Sequence, residues 1–152
     1  MIARFLPALR RYGAPSAELG GARERMSFLG EFEHSLDEKG RVILPADFRP
    51  PLAAGAVLGV QTDGCLAVWT KEEFDRVSAT VKEQARDSAT KIKAARVFFA
   101  NAKEFTPDAQ GRVAIPQKLR EFAQLDRELV IVGVDDRVEI WDRARWRDQV
   151  ER

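Results

Sequence analysis

The sequence predicts a β-rich α+β fold: two pseudo-symmetric β-β-α-β-β units, each with an appended helix. Three observations carry that expectation. The stretch Asp37-Glu38-Lys39-Gly40-Arg41-Val42-Ile43-Leu44-Pro45-Ala46-Asp47-Phe48-Arg49 returns 71 positions later as Asp108-Ala109-Gln110-Gly111-Arg112-Val113-Ala114-Ile115-Pro116-Gln117-Lys118-Leu119-Arg120. Both copies read D-x-x-G-R-V-x-[L/I]-P-x-x-[F/L]-R. Apolar residues around each copy alternate with period two, and capping signals separate these segments from runs with helical spacing. Two copies are too few for a solenoid. They fit one pseudo-symmetric domain, or two small units that complete each other's core.

In Glu31 to Asp37 the apolar side is Phe32, His34 and Leu36 and the polar side Glu31, Glu33 and Ser35, the signature of a half-buried strand. Glu38-Lys39-Gly40 reads as a tight hairpin loop, closed by the positive φ open to Gly40. Arg41 to Leu44 is the return strand. Pro45 lacks an N–H, so it ends the ladder and suits a helix start. One turn, Ala46 to Arg49, is expected before Pro50-Pro51 stops it. Val57 to Val60 is a continuous apolar run, as in a strand covered on both faces. After the turn Thr62-Asp63-Gly64 comes a fourth strand, Cys65 to Trp69.

Thr70-Lys71-Glu72-Glu73 is a capping box. The segment from Lys71 to about Ala102 has neither Pro nor Gly and reads as two helices broken near Asp87 to Thr90. The second repeat retraces the first: strand Lys103 to Pro107, loop Asp108 to Gly111, return Arg112 to Ile115, and a helix from Pro116 through Ala123. Leu129 to Val134 and Val138 to Trp141 follow as strands, and Asp142 caps a last helix. Trp69 and Phe74 match Trp141 and Trp146 at an offset of 72.

Composition narrows the function classes. The 152 residues carry ordinary charged and apolar fractions for a globular protein. No apolar run approaches the roughly 20 residues that span a bilayer. A single cysteine, Cys65, excludes an intramolecular disulfide and a cysteine-rich zinc site. The net charge is +1, of which residues 1–25 contribute +3, leaving −2 for the rest. The folded part is not a bulk polycation, so any nucleic-acid contact falls to a small basic patch. Residues 1–25 share nothing with the repeats and make a poor secretory signal. They read as a flexible tail, or as the product of a start assigned ahead of Met26.

Few residues are placed for chemistry. His34 corresponds to Phe105 in the second copy, which marks a core position. Cys65 sits on an apolar strand as an inert thiol. Trp69, Trp141 and Trp146 stand at strand-to-helix corners, which favours packing over base stacking. Asp37 and Asp108 could pair as an acid/base dyad, but each has an arginine four positions on, across a tight loop. The plainer reading pairs each Asp with its Arg, or has it cap loop N–H groups. Lys39, Arg41 and Arg112 then stand at the loop tips. An aspartate that steadies an arginine fork also presents it to a phosphate or a guanine edge. Arg49 and Arg120 recur at matched positions, as surface charges or as part of the same basic face.

With the doubled motif read, the chain from about Met26 onward resembles the MraZ family, which is similar to AbrB-like swapped-hairpin regulators. Phe28-Leu29-Gly30-Glu31, the two D-x-x-G-R motifs and Glu139-Ile140-Trp141 carry the likeness. It implies a swapped-hairpin barrel of AbrB-like repeats at 31–73 and 102–145, a helical connector at 74–101 and a helix end at 146–152. It implies a cytoplasmic, nucleoid-associated regulator that binds double-stranded DNA at promoter-proximal direct repeats upstream of its own division and cell-wall operon. It also implies a homo-oligomeric ring, with no cofactor, metal, membrane or small-molecule substrate. The DNA-contacting arginine of the family falls on Arg41, with Lys39 beside it and Arg112 as the second-half equivalent. Arg49 and Arg120 complete the expected DNA-binding set, and Asp37, Gly40, Asp108 and Gly111 support the loops. The competing readings are a ring-forming scaffold that binds protein partners and, remotely, a hydrolase using Asp37 and Asp108.

Overall fold

A computed structural model describes residues 27–151; the expected N-terminal extension, residues 1–25, lies outside them. The described residues form strands β1 (Phe28–Ser35), β2 (Arg41–Ile43), β3 (Ala56–Val60), β4 (Leu66–Thr70), β5 (Lys103–Phe105), β6 (Arg112–Ala114), β7 (Glu128–Asp135) and β8 (Val138–Asp142). The helices are α1 (Arg49–Leu52, after a 3-10 turn Ala46–Phe48), α2 (Lys71–Ala85), α3 (Ala89–Ala100), α4 (Gln117–Phe122) and α5 (Arg143–Trp146). The described residues end in a π-helical turn, Arg147–Glu151. The fold is β-rich α+β, as the sequence predicts.

Strand pairing departs from the local hairpins expected around the two loops. β1 does not ladder with β2. It runs antiparallel to β7 of the other repeat, from Phe28 opposite Asp135 to Ser35 opposite Glu128. β5 likewise pairs with β3, and β2 with β6. The result is a six-stranded antiparallel sheet, β1-β7-β8-β4-β3-β5, and a separate two-stranded ribbon, β2-β6. The physical reason is ladder length. β1 pairs with β7 over eight residues, whereas β2 is three residues long and offers a short local ladder.

The two faces of the sheet divide the core. Val42, Leu44, Val113 and Ile115 from the ribbon region bury beside Leu58, Leu66, Leu129, Ile131 and Ile140. Phe48 wedges edge-on against Phe28 and Phe32, with ring centroids 5.5 and 5.3 Å away. Burial of such side chains stabilises by about 1.5–3 kcal/mol each. The alternate residues Cys65, Val130 and Trp141 form a second cluster, backed by Val132 and Trp146. Trp69 packs on Phe74 and Phe98 of α2 and α3. β3 is buried along its whole length, as its unbroken apolar run requires.

The N-caps expected at Thr70 and Asp142 form. Thr70 Oγ1 accepts from the Glu73 N–H at 3.1 Å. The break between α2 and α3 is capped by Ser88, whose Oγ accepts from the Lys91 N–H. Asp142 accepts from Ala144 and Arg145 at the start of α5. Pro50-Pro51 behaves otherwise than expected: helix α1 runs through both prolines to Leu52. They sit in its first turn, where a missing N–H costs nothing. His34 is half-buried rather than sealed in the core.

Candidate functional site

The two repeat loops have nearly the same internal bonding. Asp37 Oδ1 accepts from the backbone N–H of Lys39 (2.8 Å) and of Arg41 (2.9 Å), while Oδ2 accepts from Arg41 Nε (3.0 Å). Asp108 does the same for Gln110 (2.9 Å), Arg112 N (2.9 Å) and Arg112 Nε (2.7 Å). Each aspartate thus serves as an Asx cap and as an arginine clamp. Donation by the Arg41 N–H, above all, holds the Asp37 carboxyl below the usual carboxylate range. Asp108 is lowered first by the Arg112 N–H and then by its side chain. Two carboxylates each occupied by their own arginine are poorly placed to share a proton as a catalytic dyad.

The glycines let the loops close. Gly40 and Gly111 take φ of 78° and 80°, a region that side-chain-bearing residues avoid. Each also accepts a bond from the opposite repeat: the Leu44 N–H donates to Gly111 O and the Ile115 N–H to Gly40 O, both at 2.9 Å. The two loops are therefore joined across the pseudo-dyad by the ribbon between them.

The ribbon's register fixes what it displays. Arg41 lies opposite Ala114, Val42 opposite Val113, and Ile43 opposite Arg112. Val42 and Val113 point into the core at 1% exposure, so Arg41, Ile43, Arg112 and Ala114 share the outer face. Arg41 and Arg112 are diagonal neighbours there, with backbones about 7–8 Å apart. Both are held by Nε alone. Their terminal Nη nitrogens have no partner among the described residues and remain available as a fork. Lys39 is exposed at the tip of the first loop, where the second has Gln110.

Arg49 and Arg120 are brought to the same region, in a role the sequence did not reveal. Arg49 is half-buried and packs against Gly111 of the other repeat, where a β-carbon would lie 2.8 Å from its Cδ. Its Nε donates to Leu44 O at 2.9 Å. Arg120 packs on Gly40 in the same way, but its Nε is buried without a hydrogen-bond partner among the described residues.

Beside the second core cluster, on the other face of the sheet from the one that packs on the ribbon, lies a buried polar group that sequence reasoning missed. Glu139, 6% exposed, accepts from Trp141 Nε1 (3.0 Å) and Arg137 Nε (3.0 Å), and Arg137 Nη1 also reaches Asp136 (2.9 Å). Glu139 and Trp141 stand two positions apart on one face of β8, but no pattern in the sequence pointed to Arg137. Cys65 lies beside this group; burial, and then the Glu139 charge, push its thiol well above the usual range, consistent with an inert residue.

Comparison with known proteins places the chain. A family model described as "MraZ protein, putative antitoxin-like" matches residues 27–96 and 98–152. A protein of Salinispora arenicola named "Transcriptional regulator MraZ" is 47% identical over 119 residues, covering 78% of this chain and 84% of that one. One of the same name from a Nocardioides species is 46% identical over 129 residues, covering 81% and 85%. Another, from Acetivibrio thermocellus, is 41% identical over 119 residues, covering 78% and 83%.

Proposed function

The chain belongs to the MraZ family, and from that premise we propose that it is a DNA-binding transcription regulator whose ribbon β2–β6 meets the DNA. The observation that carries this reading is the pair Arg41 and Arg112. Each is clamped through Nε by its own aspartate, and each is offered as a free fork from the outer face of a two-stranded ribbon. The major groove, about 12 Å wide, admits such a ribbon. A fork already held in place loses little freedom on binding a phosphate or the O6/N7 edge of guanine. Lys39 adds a phosphate contact at the tip. Arg49 and Arg120 belong to the same basic face and brace the loops, with Asp37, Gly40, Asp108 and Gly111 as supports.

Strand exchange between the repeats supports an AbrB-like swapped-hairpin barrel as the architecture. Each protomer offers few cations on the ribbon face, Lys39, Arg41 and Arg112, and phosphate contacts weaken with salt. A ring of copies supplies the remainder, because neighbouring tips raise effective concentration and multiply weak contacts by about 10²–10⁴. The natural target is a set of short direct repeats upstream of the chain's own division and cell-wall operon, met in the cytoplasm at the nucleoid. Transcription regulation is not an enzyme class, and no reaction is assigned.

Footprinting on the DNA upstream of the chain's own reading frame, at two salt concentrations, tests the proposal. Evenly spaced short protected segments that fade with salt are the expected result. Assembly into a ring with no protected segment would contradict it and favour a scaffold that binds protein partners.

A further inference from the structure

The outer face of the ribbon is only half cationic. Ile43 is 42% exposed, although its neighbours Val42 and Leu44 are 1% and 0% exposed. It stands directly opposite Arg112, on the face that Arg41 shares. The ribbon does not need a large apolar residue there for its own stability. Ala114, the corresponding position of β6, is equally solvent-facing and has a poor strand propensity. The face therefore carries two arginines on one diagonal and two apolar residues, of unequal reach, on the other.

Of the groups that bases present in the major groove, the apolar one is the thymine C5-methyl. On the reading above, which this inference rests on, Ile43 lies in the groove beside a fork that engages a guanine or a phosphate. We propose that Ile43 is a specificity-determining residue that packs on a thymine methyl next to the group bound by Arg112. Ala114 is too short to do the same from the other strand. Lys39 likewise has Gln110 as its equivalent in the second loop, so the head has a polarity: its first-repeat half reads a methyl and its second-repeat half does not.

Deoxyuridine, which lacks only that methyl, supplies the test. The DNA upstream of the chain's own reading frame is amplified once with dTTP and once with dUTP, and the affinity of the full chain for each product is measured. Burial of one methyl-sized group, at about 0.8 kcal/mol, predicts about fourfold weaker binding to the uracil DNA for each methyl engaged. Ile43→Ala should bind both products equally. Ile43→Thr, which keeps the β-branched backbone preference, should show a reduced difference, and melting curves verify that both variants fold. An undiminished difference in the variants would overturn the inference, as would equal binding of both products by the unaltered chain. Failure of the unaltered chain to bind either product above a scrambled competitor would overturn the regulator reading itself, and this inference with it.

Discussion

Arg120 of the second repeat lays its guanidinium on Gly40 of the first, so closely that a β-carbon at Gly40 would stand 2.9 Å from its Cζ. Arg49 lies on Gly111 in the reciprocal arrangement. Each loop is shaped by its own aspartate but seated by an arginine from the other repeat. The recurrence of Arg49 and Arg120 in the sequence thus has a structural explanation as well as an electrostatic one.

Gly40→Ala should destabilise the protein by about 1–2 kcal/mol, the cost of a side chain at positive φ. The arginine contact adds little, because the end of a long side chain yields easily. Thermal denaturation of Gly40→Ala, Arg120→Ala and the double variant measures both parts. A double variant that recovers only a small share of the glycine effect is the expected pattern.

The aspartate clamps make stability depend on acidity in a defined direction. Asp37 and Asp108 have folded-state values depressed by their loop N–H donors and arginines. Their contribution is therefore complete above the unfolded value of about 3.9 and lost as pH falls through the lower folded values. Asp37→Asn with Asp108→Asn keeps an acceptor for the loop N–H groups but removes the charge. Melting temperature followed from pH 7 to pH 2 should show the variant below the parent at neutral pH and converging with it in acid. A constant gap across that range would contradict the clamp.

Burial decides which ion pair matters. Arg143 reaches Glu33 at 2.9 Å, but the Glu33 side chain is 61% exposed, and such pairs contribute about 0–1 kcal/mol. The partners Arg137 and Glu139 are 12% and 8% exposed at the side chain. Glu139→Ala strands the Arg137 Nε and the Trp141 indole N–H, for a loss of about 3 kcal/mol, the low end for a broken buried pair because Asp136 still holds Arg137. Urea denaturation of Glu139→Ala and Arg143→Ala should rank them in that order.

Lys39 is exposed and has no carboxylate clamp among the described residues, so it should act as a point charge on the backbone of DNA. Lys39→Ala is expected to weaken binding evenly across sequences and to reduce the slope of log affinity against log salt by about 1. A sequence-dependent loss would instead assign Lys39 to a base edge.

The sequence revealed what is local and repeated. The doubled motif, the Asp–Arg pairs, the glycine turns and the caps at Thr70 and Asp142 all depend on residues within a few positions of each other. Partner choice between strands was not legible. Alternation in Phe32, His34 and Leu36 shows which face is buried, but a face does not name the strand beside it, so β1 was expected to return on β2 rather than ladder with β7. The same limit hid Arg49 on Gly111, a contact between repeats. Glu139 was read as one letter of a family likeness, since nothing nearby in sequence indicates an acceptor for Trp141 and Arg137 together.

The most direct test of the ribbon as the DNA-binding face is Arg41→Ala, assayed by gel shift on the chain's own upstream DNA and, in parallel, by light scattering for assembly. Arg41 is half-exposed and, among the described residues, its side chain bonds only to Asp37 of its own loop, so its removal should leave assembly unchanged. Loss of one bidentate contact, about 1–3 kcal/mol, predicts binding weaker by roughly 5- to 150-fold per engaged protomer, and Arg112→Ala should behave alike. Unchanged binding by an Arg41→Ala protein that assembles normally would contradict the account.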